Sequence, residues 1–241
     1  MKSFDAFERG IVFCIWFGQT LPITRAAALL SIIDNINVPV QFINNHNYKR
    51  WELVDAPFHP AFDFLTDTHK SDYLRTYLML HFGGGYHDIK FTLNDWESSF
   101  RDLAASEKQF AGYPVASPTG ICLNLFEKYN PQIVGQIRAV YDHFPGTSAF
   151  IFKKHTAVAK DLLNAMHDIL DHKIEQLKSY PGRFAQEYKG AILEDGSVSK
   201  YPLGWTELLG DNFHSLIILK YMHSFMLREI KPSSEKYRKW K

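Results

Sequence analysis

The chain has 241 residues, 46% of them hydrophobic and 15% aromatic, which is enough to bury a sizeable core and excludes a disordered or fibrous protein. Its 27 Lys and Arg residues nearly balance its 26 Asp and Glu residues, so no broad basic face is predicted and a nucleic-acid partner is excluded. We expect one domain over residues 1–241, ending in a basic tail over 231–241.

Cysteine usage and hydropathy indicate the compartment. Cys14 lies in an apolar run and Cys122 lies far away in a loop region, so the two do not form a ligand cluster. No apolar run reaches the length of a membrane span, and the amino terminus is poorly shaped for a signal peptide. These features predict a soluble protein in a reducing, cytoplasmic compartment.

The first elements predict a strand, a helix and a second strand. Residues 11–18 (IVFCIWFG) form a continuous apolar run, typical of a strand buried on both faces of a parallel sheet. Residues 21–34 have helix composition, and residues 38–45 (VPVQFINN) predict the second strand. This βαβ pattern favours an α/β fold, a Rossmann-like sandwich with a mostly parallel sheet flanked by helices and a ligand crevice at the carboxyl ends of the strands.

Residues 69–92 (HKSDYLRTYLMLHFGGGYHDIKFT) contain the densest group of polar side chains. A core-facing helix is expected first, with Asp72 and Arg75 three residues apart on another face, where an ordinary surface ion pair is the alternative interpretation. Three glycines are expected to end this helix, and residues 86–92 to continue as a strand. Asp88 and Lys90 would then point to the same side of that strand.

The remaining chain is more ordinary. Residues 109–115 and 146–154 predict two more strands, and residues 156–180 predict a long helix. Residues 181–214 lack a clear period and are expected to be a functional loop with short elements, followed by an amphipathic segment over 215–230.

The segment KSDYLRTYLMLHFGGGYHDIK, residues 70–90, resembles the central signature of the DXD-containing sugar transferases of glycosyltransferase family 32 and the related capsular polysaccharide synthesis proteins. In that signature a serine, two aspartates, an arginine, a glycine pair and an aromatic residue follow each other at this spacing. The segment CIWFGQTLP, residues 14–22, also resembles the first strand of that family. The similarity covers roughly residues 11–92.

This resemblance implies a GT-A fold that binds a nucleotide-diphosphate sugar and transfers the sugar to an acceptor hydroxyl. Residues 1–115 would bind the donor and residues 116–230 would form the acceptor side. Carboxylates suit sugar hydroxyls, guanidinium suits phosphate oxygens, and glycine permits close approach of the backbone. The implied donor-binding residues are Trp16, which would stack near the base, and Asp72, Arg75, Gly84, Gly85, Tyr86, Asp88, Lys90 and Trp205.

Lys90 is a departure from the pattern, because it stands where the second acid of the DXD motif belongs. One hypothesis keeps a Mn²⁺ or Mg²⁺ ion on Asp88, helped by a distant ligand such as Asp211, Asn212 or His214. The other hypothesis has the Lys90 ammonium meet the donor phosphates directly. The first is slightly favoured.

The resemblance also implies retention of the anomeric configuration, in which the leaving diphosphate takes the acceptor proton. Arg75 and Asp88 would then carry the catalytic roles. An inverting enzyme would need a positioned base, and Glu207 and Asp211 are the candidates, with Trp205 lining the acceptor site or a closing lid.

Three functions follow in order of preference. The first is a glycosyltransferase that favours a UDP-hexose donor and a glycan or polysaccharide acceptor. The second is a catalytically impaired nucleotide-sugar-binding protein. The third is another α/β nucleotide or phosphate enzyme, but the chain has neither a G-x-x-x-x-G-K-S/T loop nor a G-x-G-x-x-G motif after the first strand. For the tail KPSSEKYRKWK the favoured interpretation is a solvated terminus, and the alternative is a peripheral contact with an anionic membrane.

Overall fold

A six-stranded mixed sheet forms the centre of the protein, as a computed structural model of residues 4–233 shows. The strand order is β2-β1-β3-β5-β4-β6, and β5 alone runs antiparallel to its neighbours. The prediction of an α/β protein with a mostly parallel sheet is therefore confirmed. The strands are β1 (Val12–Trp16), β2 (Val40–Asn44), β3 (Gly84–His87), β4 (Phe110–Pro114), β5 (Pro145–Phe152) and β6 (Phe225–Leu227).

Helices cover both faces of this sheet. On one face α1 and α3 enclose an apolar cluster, and on the other face α2, α6 and α7 enclose a larger one. The alternation within β1 explains this layering, because Val12 and Cys14 belong to the first cluster whereas Phe13 and Ile15 belong to the second. The helices are α1 (Ile23–Asn35), α2 (Asp67–His81), α3 (Glu97–Ala104), α4 (Asn124–Tyr129), α5 (Pro131–Ala139), α6 (Ala157–Ser179) and α7 (Gly210–Leu216).

The glycine run begins β3 and does not merely end α2. The helix ends at His81, and Gly83 follows in the left-handed region at φ 66°, donating its N–H to the Leu78 carbonyl. The strand then occupies Gly84–His87, so the prediction of a strand over 86–92 is wrong. Beyond it the Lys90 N–H donates to the Asp88 carbonyl over 2.6 Å, which turns the chain away from the sheet.

Gly84→Ala is expected to lower the free energy of unfolding by about 2–3 kcal/mol. Gly84 has φ 91°, and an added Cβ would lie 2.6 Å from the Ile11 carbonyl oxygen, which belongs to the backbone and has little freedom to move. Urea denaturation measures the loss. Gly135→Ala is the matched control, because Gly135 lies inside α5 with open space around it and the change should stabilise by about 0.5–1 kcal/mol. Equal effects of the two changes would contradict the expectation.

The last described segment departs from the predicted amphipathic run. Residues 215–230 include the end of α7, one turn of π-helix at Ile217–Tyr221 and the edge strand β6. Most of the predicted basic tail, residues 234–241, lies outside the described residues. Over residues 4–233, every helix is too short or too polar to cross a bilayer.

Candidate functional site

A pocket of about 290 Å³ opens where β1 and β3 end, at the edge of the sheet that the βαβ pattern predicts for a ligand. Four parts of the chain form its walls: the ends of these strands with the turn after β3, Arg25 on α1, the first three turns of α2, and the loops around residues 185 and 205. The polar and aromatic lining residues include Trp16, Arg25, Asp67, Thr68, Ser71, Arg75, Tyr86, Asp88, Lys90, Gln186 and Trp205.

The Asp88 carboxylate contacts three other side chains of the pocket. Its Oδ2 lies 2.7 Å from Lys90 Nζ, and its Oδ1 accepts a hydrogen bond of 2.7 Å from the Tyr86 hydroxyl. Arg75 Nη1 lies 3.5 Å from the same Oδ1. Burial opposes ionisation, but Lys90 and Arg75 outweigh it and hold the pKa of Asp88 well below its usual range. The carboxylate therefore stays charged at neutral pH.

Arg75 is held in one position by contacts on several sides. Its guanidinium bonds Asp72 Oδ1 over 2.6 Å and the Thr147 carbonyl over 3.0 Å, and lies 4.3 Å from the centre of the Tyr86 ring. Asp72 lies behind Arg75, outside the pocket lining. Burial raises the pKa of Asp72, and the positive charge of Arg75 offsets only part of this rise. The pair is buried, 7% exposed at each residue, which excludes the interpretation of a surface ion pair.

The middle of β5 contributes to the site and was missed by sequence reasoning. Asp88 donates its backbone N–H to the Ser148 carbonyl over 2.8 Å, and Lys90 Nζ donates to Ser148 Oγ over 3.1 Å. Burial raises the pKa of the Tyr113 hydroxyl, and the negative charge of Asp88 raises it further. Nothing in the sequence pattern of residues 145–152 distinguishes these groups from other strand residues.

Trp16 stands between this pocket and a second one of about 360 Å³. Its indole N–H donates to the Thr20 carbonyl over 2.9 Å, and the Arg25 guanidinium lies 5.6 Å from its ring centre. Arg25 also donates to the Ile89 carbonyl, so it links α1 to the turn after β3. The amide-bearing residues of the second pocket are Gln19, Asn44 and Asn45.

The loop that carries Trp205 is anchored on both sides of that residue. His69 Nε2 bonds the Gly204 carbonyl over 3.1 Å, which ties the loop to α2. Glu207 accepts from the Gly204 N–H over 2.8 Å and pairs with Lys173 Nζ over 2.5 Å. Glu207 is therefore engaged in holding this loop and does not line the pocket.

Asp211 and His214 lie on α7 with contacts of their own. Asp211 Oδ2 accepts from Asn124 and Thr206, while its Oδ1 is buried and has no hydrogen-bond partner within residues 4–233. His214 Nδ1 accepts the Cys122 N–H over 3.0 Å and its Nε2 donates to the Pro145 carbonyl over 3.2 Å. Burial lowers the pKa of His214 to about 4, so the ring is neutral.

Gly84 and Gly85 support the site from inside the sheet. Both are buried in β3, and a Cβ on Gly85 would lie 2.8 Å from Val12 and 3.0 Å from Trp96. They allow β3 to approach its neighbours closely and do not line the pocket.

The donor set does not fit a divalent cation as it is arranged. Mn²⁺ and Mg²⁺ take several oxygen ligands, whereas the Asp88 oxygens accept from Tyr86 and Lys90 and the adjacent ammonium repels a cation. Over residues 4–233, no three His, Cys, Asp or Glu side chains are grouped to hold a metal ion. Both ring nitrogens of His214 are used in hydrogen bonds to the backbone.

Comparison with known proteins gives no family for the chain: no protein-family model and no curated protein matches it.

Proposed function

We propose that the protein is a glycosyltransferase that transfers a sugar from a nucleotide-diphosphate sugar, with UDP-hexose favoured, to a hydroxyl of a glycan or polysaccharide. One observation carries this proposal: Arg75, Asp88 and Lys90 converge beside Trp16 in one pocket at the carboxyl ends of parallel strands. Such a pocket offers cations for a diphosphate, an aromatic ring near a base and hydrogen-bonding groups for a hexose.

The sheet supports a GT-A type fold. The βαβ unit β1-α1-β2 precedes the site, and β3 ends at His87, directly before Asp88 of the DXD-like motif. The second pocket beside Trp16 supplies amide groups, which can donate to and accept from the edge of a base. We therefore place the base in the second pocket and the diphosphate near Lys90.

Lys90 is proposed to meet the diphosphate directly, in place of the divalent ion that the sequence resemblance implies. Asp88 and Ser148 hold its ammonium on the pocket surface before any donor is bound. A cation fixed there stabilises the negative charge that develops on the leaving diphosphate. The competing version, with Mn²⁺ or Mg²⁺ on Asp88, remains the alternative prediction.

The contacts of Glu207 and Asp211 support a retaining reaction. Glu207 is paired with Lys173, and Asp211 is bonded by Asn124 and Thr206, so neither is positioned as a base in the pocket. In the proposed step the acceptor oxygen bonds the anomeric carbon as the bond from that carbon to the phosphate oxygen breaks. The bonding electrons go to the diphosphate, which also takes the acceptor proton.

A second candidate function is a nucleotide-sugar-binding protein with impaired catalysis. The observation that favours it is the Asp88–Lys90 ion pair, which neutralises the one carboxylate of the motif. This candidate predicts donor binding without hydrolysis and without transfer.

A panel of nucleotide sugars tests the proposal by thermal stabilisation and by slow donor hydrolysis. We expect a UDP-hexose to raise Tm and to be hydrolysed slowly, both with full resistance to EDTA, because Lys90 replaces the ion. Lys90→Asp supplies the second acid of the DXD motif, so hydrolysis by this variant should require added Mn²⁺.

Other outcomes of this experiment would support the metal version or the binding protein, or would end the proposal. Loss of wild-type hydrolysis in EDTA, restored by Mn²⁺, would establish the metal version. Stabilisation without any hydrolysis or transfer would support the binding protein, and no stabilisation by any nucleotide sugar would end the proposal.

A further inference from the structure

Two large exposed aromatic side chains lie together at the pocket, on the side formed by the loops around residues 185 and 205. Trp205 is 45% exposed and Tyr188 is 40% exposed. The rings of Tyr188 and Trp205 meet at 6.0 Å and 74°. Neighbouring exposed aromatic side chains form an apolar patch, which commonly marks a binding surface. We call Trp205 and Tyr188 the aromatic shelf.

The shelf adjoins the proposed donor site. Trp205 lines the pocket itself, together with Ala185 and Gln186, which lie between Phe184 and Tyr188 in the chain. A molecule resting on the shelf would therefore reach into the same opening as the donor sugar. That position suits the second substrate of a transfer reaction.

The backbone under the shelf is fixed before any ligand arrives. Thr68 bonds the Ala185 carbonyl through both its N–H and its hydroxyl, and the Lys189 N–H donates to the Leu203 carbonyl over 2.7 Å. His69 bonds the Gly204 carbonyl, and Glu207 accepts a hydrogen bond from the Gly204 N–H. A preorganised surface loses little entropy when it binds, so even a small contact area can select a ligand.

We propose that the aromatic shelf binds a pyranose ring of the glycan acceptor, an inference that rests on the proposed function. A pyranose has one face of C–H groups, and the negative face of an aromatic ring attracts their partial positive charge. Gln186 and Thr68 line the same pocket: the Gln186 amide can donate to and accept from ring hydroxyls, and the Thr68 oxygen can accept from them while its proton bonds the Ala185 carbonyl.

Saturation-transfer NMR with methyl glycosides tests the inference without any donor. The probes are the methyl pyranosides of glucose, galactose and mannose in both anomeric forms. We expect at least one of them to receive saturation at its ring C–H protons, with a Kd about tenfold higher in Trp205→Ala and in Tyr188→Ala. Trp205→Phe should recover part of the affinity because it keeps an aromatic face.

Tyr180→Ala is the matched control. Tyr180 is as exposed as Trp205, but it lines a different pocket, where the Lys200 ammonium lies 5.4 Å from the centre of its ring. Removing the Tyr180 side chain should therefore leave glycoside binding unchanged. Absence of saturation transfer for all probes, or equal loss in Tyr180→Ala, would overturn the inference.

Nucleotide-sugar stabilisation is measured on the same variants to keep the two proposals apart. Tyr188 does not line the donor pocket, so unchanged donor binding in Tyr188→Ala supports an acceptor shelf, whereas loss of donor binding with retained glycoside binding would assign Tyr188 to the donor and overturn the inference. If glycosides bind the shelf but no nucleotide sugar stabilises the protein, the glycosyltransferase proposal fails and the sugar site remains.

Discussion

Lys90→Met is expected to lower kcat for sugar transfer, or for donor hydrolysis, by about 10²–10³-fold. The change keeps most of the length and apolar stem of the side chain and removes the ammonium that Asp88 and Ser148 hold on the pocket surface. The charge that develops on the leaving diphosphate then lacks its nearest fixed cation. Steady-state kinetics with the donor identified by thermal stabilisation measures the effect, and most of the loss should appear in kcat.

Two further lysine variants test whether the loss of activity comes from removing the positive charge at position 90. Lys90→Arg retains the positive charge and should keep more activity than Lys90→Met. Lys178→Met is the matched control, since Lys178 forms an exposed ion pair with Glu175 on α6 and should keep wild-type kinetics. If Lys90→Met stayed within threefold of wild type, the direct contact with the diphosphate would be refuted.

Arg75→Met is expected to lower the free energy of unfolding by about 3–5 kcal/mol. Asp72 and Asp88 would lose the cation beside them, and Asp72, at 7% exposure, would be left as a buried charge without compensation. Its pKa, already raised by burial, should rise further, so the loss of stability should be smaller at pH 5 than at pH 8. Urea denaturation at the two pH values measures both effects.

The chain provides an exposed ion pair for comparison. Arg138 lies 2.5 Å from Glu127, with both side chains more than 40% exposed, so Arg138→Met should cost about 1 kcal/mol or less. The double variant Asp72→Asn and Arg75→Met removes the buried charge and should regain part of the stability. Equal costs for Arg75→Met and Arg138→Met would show that burial of the first pair does not matter.

Residues with a regular hydrophobic pattern were placed well from the sequence. The apolar run that became β1 and the helices α1, α2 and α6 were predicted because burial on a sheet or helix face imposes a period on the sequence. The turn after β3 was not predicted. Its conformation depends on bonds from Ser148 and Arg25, which are 60 and 63 residues from Asp88 in the chain, and no local pattern records such bonds.

The candidate site shows the same division. Arg75, Asp88 and Lys90 were predicted from one continuous segment, and the structure brings them together in one pocket. Tyr188 and Ser148 were missed because an aromatic residue in a polar loop and a serine in a strand are common features without a period of their own. Asp72 was predicted to face the ligand, whereas a helical spacing of three residues equally places it beside Arg75, where it lies.

The position of β5 has a consequence for how the chain can be divided. This strand, from the second half of the sequence, inserts between β3 and β4 from the first half, and its Thr147 and Ser148 hold Arg75, Asp88 and Lys90. A fragment that stops near residue 115 would have an open sheet edge and no support under its cationic groups. We expect neither this fragment nor the remaining carboxyl-terminal fragment to be active alone. Activity should return only when the two fragments reassociate into one sheet.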